Sequence, residues 1–347
     1  MINFRYHVVS LIAVFLALGI GVIMGSAVID RAIVDRLEDQ QRGLELQIAE
    51  VEETNDALRE ESRALQEAAD RLTEEGSQRL LVGALTEVPV LVIATRGVST
   101  ASFDALLSMV STTGADRQGT IWLTDRFVLD DDEEVRDLRI ALEAPQALSV
   151  DNLRRLALTE LSMHLRALAA APGPAAGDQT TTTTPANGSA DEDADDATEA
   201  PSVFAALRSA GFLDFDAPDG AAPDDLVLAE RTRVVLVSGA GGEVPVDLVA
   251  LPLAGLLVEE RAGVPAFGVL AAEDRSRTEE PLVEFVVTLR TDRQLADRLS
   301  TVDNIGDFAG RLAAVLALVD LDDGRLGHYG TGPSAQRLLP APPESGG

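Results

Sequence analysis

Val88-Pro-Val-Leu-Val-Ile-Ala94 is a short, continuous apolar run bounded by polar residues on both sides. Its length and its β-branched content suit a strand buried on both faces, the kind found inside a parallel sheet. Downstream, Ser99 to Thr113 has the spacing of a helix, and Thr120 to Leu123 with Phe127 and Val128 predicts a second strand. Strand, helix, strand is a βαβ unit. Helices are expected over Asp132 to Leu142, opened by carboxylates that suit a helix N-terminus, and over Val150 to Ala170.

The pattern then stops and resumes. Between Pro172 and Pro201 come five successive Thr, several Pro and Gly, and seven acidic residues with no basic one. Such a stretch cannot bury a core, so residues 172–201 are expected to be a disordered loop. Beyond it, a helix is predicted from Ser202 to Ala210, closed by Gly211. Strands Arg233 to Val237 and Ala266 to Leu270 flank a helix over Val246 to Glu260. Another helix is expected near Pro281, and an apolar one over Gly306 to Leu321. Alternating buried strands and helices give an α/β class: a Rossmann-like parallel-sheet body of two βαβ halves, residues 80–171 and 202–333. A pair of separate domains is the alternative. Residues 334–347 are expected to form a disordered tail.

Upstream of the body lie two segments of different texture. Val8 to Ile29 runs for 22 residues without a charge, and a helix of that length covers roughly 33 Å, enough for a bilayer core. A cleaved signal peptide competes, with Gly25 and Ala27 at cleavage-site spacing, but the run exceeds a typical apolar region of roughly 7–15 residues. A single transmembrane helix is therefore expected over residues 8–29. Counting Arg alone places the C-terminal side in the cytoplasm. The three Arg on that side sit among acidic residues, and translocating seven N-terminal residues is unusual. Residues 1–7 are accordingly expected in the cytoplasm, with the bulk of the chain outside the plasma membrane.

Residues 30–79 carry a heptad repeat. Leu37, Leu44, Val51, Leu58, Leu65 and Leu72 recur every seven residues, and the other core position holds Val34, Gln41, Ile48, Asn55, Ser62 and Ala69. A stripe that narrow suits a coiled coil, and Asn55 at its position favours a parallel homodimer of fixed register. In the membrane segment, Ala13, Ala17, Gly21 and Gly25 form a row of small residues that lets helices approach closely. On one straight helix that row lies about 150° from the heptad seam. Either the helix bends near Gly25 and Ser26 or one face is idle.

Composition excludes several functions. The chain has 347 residues, 28 basic against 58 acidic, and a net charge of −30. Every basic residue is Arg, and so acidic a chain is a poor partner for nucleic acid. Cys is absent, which removes disulfides, thiolate ligands and Cys nucleophiles. Ser238 to Glu243 is Gly-rich between a strand and a helix, yet Val244 stands where a dinucleotide fingerprint needs Gly, and the chain has no Lys for a P-loop. A structural turn is the simpler reading. Asp130 to Glu134 reads as a solvated helix start, and Asp320, Asp322, Asp323 and Gly324 as a helix-ending turn. Copper prefers Met, Cys or His, but beyond the first residue Met occurs only at 24, 109 and 163, and His only at 7, 164 and 328. No catalytic residue, metal site or cofactor site is read from the residues, and no enzyme activity is expected.

The opening FRYHVVSLIAVFLALGIGVIMGS (Phe4 to Ser26), the heptads, STVDNI (Ser300 to Ile305) and AAVLALVDLDDGRLGHYGTG (Ala313 to Gly332) together resemble one family. It is the mycobacterial copper transport protein B family of actinobacterial envelope proteins. The likeness runs nearly the whole chain in order, and the combination of the N-terminal segment with GHYGTG (Gly327 to Gly332) is fairly specific. It implies a role in copper transport or tolerance, described as a channel, and it brings no ligand motif onto particular residues. Related members are linked instead to septation, with a membrane partner whose soluble part resembles thiamine pyrophosphokinase. A single apolar helix cannot by itself shield an ion in lipid. Anchor, stalk and α/β head suit a dimeric, non-enzymatic scaffold that presents a surface to such a partner.

Overall fold

The structure, a computed structural model, describes residues 6–24, 41, 47–48, 51–52, 54–56, 59–60, 81–171, 202–218, 226–239, 243–260, 266–275 and 284–341. The chain divides into two units, Met1–Leu72 and Thr73–Gly347. In the first, helix α1 (Tyr6–Met24) is 19 residues long with a mean hydropathy of 2.5. At about 1.5 Å per residue it spans close to the ~30 Å of a hydrocarbon core. It starts two residues before the expected Val8, because Tyr6 and His7 join its first turn.

The second unit is one open sheet with helices on both faces. Its strands are β1 (Pro89–Thr95), β2 (Asp116–Leu123), β3 (Leu213–Asp216), β4 (Arg233–Gly239), β5 (Gly268–Asp274), β6 (Ser300–Asp303) and β7 (His328–Tyr329). The spatial order is β3-β2-β1-β4-β5-β6-β7. All neighbours are parallel except β2 and β3. The helices are α2 (Thr100–Thr112), α3 (Asp132–Ala141), α4 (Val150–Ala170), α5 (Val203–Ser209), α6 (Ala250–Val258), α7 (Phe285–Thr291), α8 (Arg293–Ala296) and α9 (Phe308–Asp320).

Alternation along the strands builds two cores. Leu91, Ile93, Val234, Leu236 and Val269 face α3 to α7, where Leu138, Leu153, Leu161, Phe204, Leu253 and Phe285 meet them. Val90, Val92, Ala94, Val235, Val237 and Leu270 face the opposite way, onto Phe103, Leu106 and Val110 of α2 and Ala313, Ala314, Ala317 and Leu318 of α9. The apolar run is continuous because both faces are covered, and each buried large side chain is worth about 1.5–3 kcal/mol.

Local chemistry sets the ends. Ser99, Ser149 and Ser202 each accept a backbone N–H from the first turn of α2, α4 and α5, worth about 1 kcal/mol apiece. Asp131 and Glu134 form a capping box at α3, so the acidic run is a helix start. Asp320 ends α9, and Leu321–Asp323 makes a 3-10 turn closed by left-handed Gly324, the expected helix-ending turn. With no Lys in the chain, buried cations are guanidinium groups clamping backbone carbonyls: Arg154 on Phe127 and Val128, Arg166 on Leu256 and Leu257, Arg233 on Leu318.

Several expectations need correction. Phe127 and Val128 belong to a 3-10 turn, Asp125–Val128, because Arg154 gathers the carbonyls of both residues. β2 begins at Asp116, four residues before the expected Thr120. The helix expected from Val246 begins at Ala250, and β5 extends to Asp274 instead of ending at Leu270. Strands β3, β6 and β7 were not anticipated. β3 follows the 172–201 stretch in sequence yet lies at the far edge beside β2, so chain from both sides of that stretch shares one sheet. The stretch itself, the 342–347 end of the tail and the residue Pro281 lie outside the described residues.

Candidate functional site

Polar residues collect at the carboxyl ends of the parallel strands. Thr95 of β1, Ser238 of β4, Glu273 and Asp274 of β5 and Asp303 of β6 are all buried. The strand order reverses between β1 and β4, and sheets of this kind bind ligands in the crevice beyond such a point. There the hydroxyls of Thr95 and Ser238 lie 3.2 Å apart. Asp274 accepts the backbone N–H of Ser99 at 2.9 Å, tying β5 to the cap of α2. A side chain at Gly239 would press on the Asp274 carbonyl. Of the Gly-rich turn, residues 240–242 lie outside the described residues.

One strand further out is a denser network. Arg290 of α7 donates from Nη1 to Asp303 Oδ2 at 2.7 Å, from Nε to Thr301 Oγ1 at 2.8 Å and from Nη2 to the Tyr329 carbonyl at 2.6 Å. Nη1 also reaches the Pro333 carbonyl at 3.1 Å. The Asp303 carboxylate accepts the backbone N–H of Thr331 at 2.8 Å and of Gly332 at 3.0 Å. A Cβ at Gly330, whose φ is +127°, would overlap that carboxylate, and one at Gly332 would crowd it. The glycines of the GHYGTG motif therefore let the backbone wrap Asp303. STVDNI and GHYGTG, on either side of α9 in the chain, meet in the β6–β7 pairing and are tied together by Arg290.

His328 completes the network. Its Nδ1 lies 3.0 Å from Thr301 Oγ1, and its ring also bonds the Ala296 backbone. The Ala296 bond favours the charged ring, so the imidazole donates there, which leaves Nδ1 of the neutral ring to accept the Thr301 hydroxyl. Burial, and then the Arg290 charge, hold its pKa below the ordinary histidine value. Both ring nitrogens of the neutral imidazole are thus committed. Glu273 Oε1 accepts the Phe285 N–H at 2.9 Å, while its Oε2 has no partner among the described residues. Burial raises its pKa above the usual carboxylate range. These groups join α7, β5, β6 and the late motif, and their geometry is that of a polar lock.

The residues anticipated from sequence lie elsewhere. Ala13, Ala17 and Gly21 share one face of α1, and Gly25 lies outside the described residues. Of the heptad positions, Ile48, Val51 and Asn55 are helical and exposed. Val34, Leu37, Leu44, Leu58, Leu65 and Leu72 lie outside the described residues. His7 sits on α1, His164 stacks on Phe204 with ring centroids 6.3 Å apart, Met109 of α2 packs against the second core, and Met163 is exposed. Among the described residues no three His, Cys, Asp or Glu converge as a metal-ligand group. Arg290 and Asp303 went unnoticed in the sequence, although the motif holding Asp303 was noticed.

One apolar helix of membrane-crossing length, followed by a helix-covered parallel sheet with a buried polar lock, defines an α/β protein with a candidate membrane anchor. The chain belongs to the family described as copper transport outer membrane protein, MctB, whose model matches residues 1–340. It is similar to the copper transporter MctB of Mycobacterium tuberculosis, with 29% identity over 343 residues, covering 97% of this chain and 99% of the relative. The Mycobacterium bovis protein of the same name matches to the same extent. That of Mycobacterium leprae is 29% identical over 346 residues, again with 97% and 99% coverage.

Proposed function

We propose that this protein serves copper homeostasis at the cell envelope as a membrane-anchored, non-enzymatic scaffold, a parallel homodimer whose α/β body presents a surface to a partner. Family membership supports the copper role, since the relatives are named copper transporters. The carrying observation for the scaffold is the body's sheet, open and mainly parallel with helices on both faces. A transmembrane barrel is closed and antiparallel, so this body suits an aqueous compartment. With the N-terminus in the cytoplasm, that compartment is extracytoplasmic. The partner is a membrane protein of the envelope, one engaged in septation included.

The test combines deletion of the gene with calorimetry of the purified full chain against copper, under reducing and oxidising conditions. The proposal expects altered copper accumulation in the deletion strain and no stoichiometric copper binding by the dimer. Tight binding would make the protein a direct carrier of copper. Unchanged accumulation would remove the copper role and leave the scaffold alone.

A further inference from the structure

Helices α3, α4 and α5 touch one another pairwise, and between them runs an open groove of about 650 Å³. Its lining includes aliphatic side chains, Ile140 and Leu142 at the end of α3, Leu156 from α4 and Val203 from α5. Ile140 is 69% exposed, an unusual position for a large aliphatic side chain in a body whose other α3 aliphatic residues turn inward. The same lining holds three carboxylates: Asp137, Glu143 and Glu160. Arg126 neutralises Asp137 at 2.7 Å. Glu143 and Glu160 form no ion pair with the described residues.

We infer that this groove is the docking surface of the body and that its occupant is an amphipathic helix of a partner protein, apolar along one stripe and carrying Arg or Lys on both sides of it. The inference rests on the scaffold reading and names its site. A groove lined by both aliphatic side chains and carboxylates is the complement of such a helix: the aliphatic residues supply burial, and the carboxylates set register and reject acidic competitors. The chain's own segment 172–201 has seven acidic residues and no basic one, so it shares the sign of the groove's carboxylates. A second copy of this chain, at −30, is disfavoured for the same reason.

The probe is a fluorescein-labelled synthetic peptide of about 18 residues with Leu at helical spacing and Arg on the flanks; a matched peptide carries Glu in place of Arg. Anisotropy is read on the full chain in detergent micelles. The Arg peptide should bind at least about tenfold more tightly than the Glu peptide. Ile140→Asp should weaken it about tenfold or more, and Glu143→Lys with Glu160→Lys should reverse the preference. Glu87→Lys with Asp104→Lys changes the net charge equally outside the groove and should leave the preference intact. Equal effects of the two double variants would reduce the binding to bulk charge and overturn the inference, as would no binding at all. If Glu143→Lys with Glu160→Lys still restores copper accumulation to a deletion strain, the groove fails while the scaffold stands. If the wild-type chain itself restores nothing, the scaffold's copper role is what fails.

Discussion

Arg290 and Asp303 form a 2.7 Å ion pair whose side chains are 0% and 1% exposed. The pair is enclosed, since Thr301, Tyr329, Thr331, Gly332 and Pro333 supply further hydrogen bonds. Buried charges are tolerated only when they are paired and their other hydrogen-bonding positions are filled, and here both conditions hold.

Removing one partner strands the other charge. Arg290→Met should lower the unfolding free energy by about 3–5 kcal/mol. Asp303→Asn should cost less, because the amide oxygen still accepts from the backbone of the GHYGTG motif. Urea unfolding monitored by far-UV circular dichroism checks both. A loss below about 1 kcal/mol for Arg290→Met, the size of an exposed pair, would show that water reaches the network.

Glycine is required at 330 for two reasons and at 324 for one. Gly324 has φ +69° with open space around it, whereas Gly330 has φ +127° and a carboxylate where Cβ would stand. Gly324→Ala should cost about 1 kcal/mol, and Gly330→Ala substantially more. Thermal melts of the two variants, run side by side, give the order, and similar losses would mean that Asp303 moves aside without cost.

The parts of the fold legible in the sequence were those that rely on apolar continuity or capping. β1 is an unbroken apolar run, and the expected span of α4, Val150 to Ala170, is the observed one, its apolar residues keeping helical spacing and Ser149 capping it. β6 was hidden because Ser300, Thr301 and Asp303 are polar yet buried. Their burial depends on Arg290 and His328, partners from other elements, so no local pattern reveals it. β3 was hidden because four residues at a sheet edge, Leu213 to Asp216, leave little periodicity to detect. The polar lock was missed for the reason that hid β6, although the glycines that wrap Asp303 stand in plain view in GHYGTG.

Glu273 gives the body an acid-side pH dependence. Burial raises its pKa, so the folded chain holds that proton more tightly than the unfolded chain does. The associated stability is complete below the ordinary glutamate value of about 4.3 and is lost as pH rises towards the raised value. Glu273→Gln keeps an oxygen for the Phe285 N–H and cannot ionise. Denaturation midpoints at pH 5 and pH 7 should therefore converge more in the variant than in the wild type. His328 and His164, lowered by burial, add an opposite slope below about 6.5, but both chains share it and the difference removes it. Parallel profiles would mean that the Glu273 carboxyl is solvated.

The stalk supplies the last expectation. Leu44 and Leu58 occupy equivalent heptad positions two repeats apart, where each would insert into a hole on a partner helix. In the proposed dimer Asn55 would favour a two-stranded register but weaken the seam, as would Gln41 and Ser62, so that dimer would have little reserve. Leu44→Glu with Leu58→Glu places like charges across that seam and should raise the dimer dissociation constant by at least about a hundredfold, the equivalent of roughly 2.7 kcal/mol. The body, which belongs to the separate unit Thr73–Gly347, should keep its melting temperature. Sedimentation equilibrium of the full chain in density-matched detergent distinguishes the outcomes. A dimer unchanged by both charges would mean that the copies associate through another surface, of which the small-residue face of Ala13, Ala17 and Gly21 is the first to test.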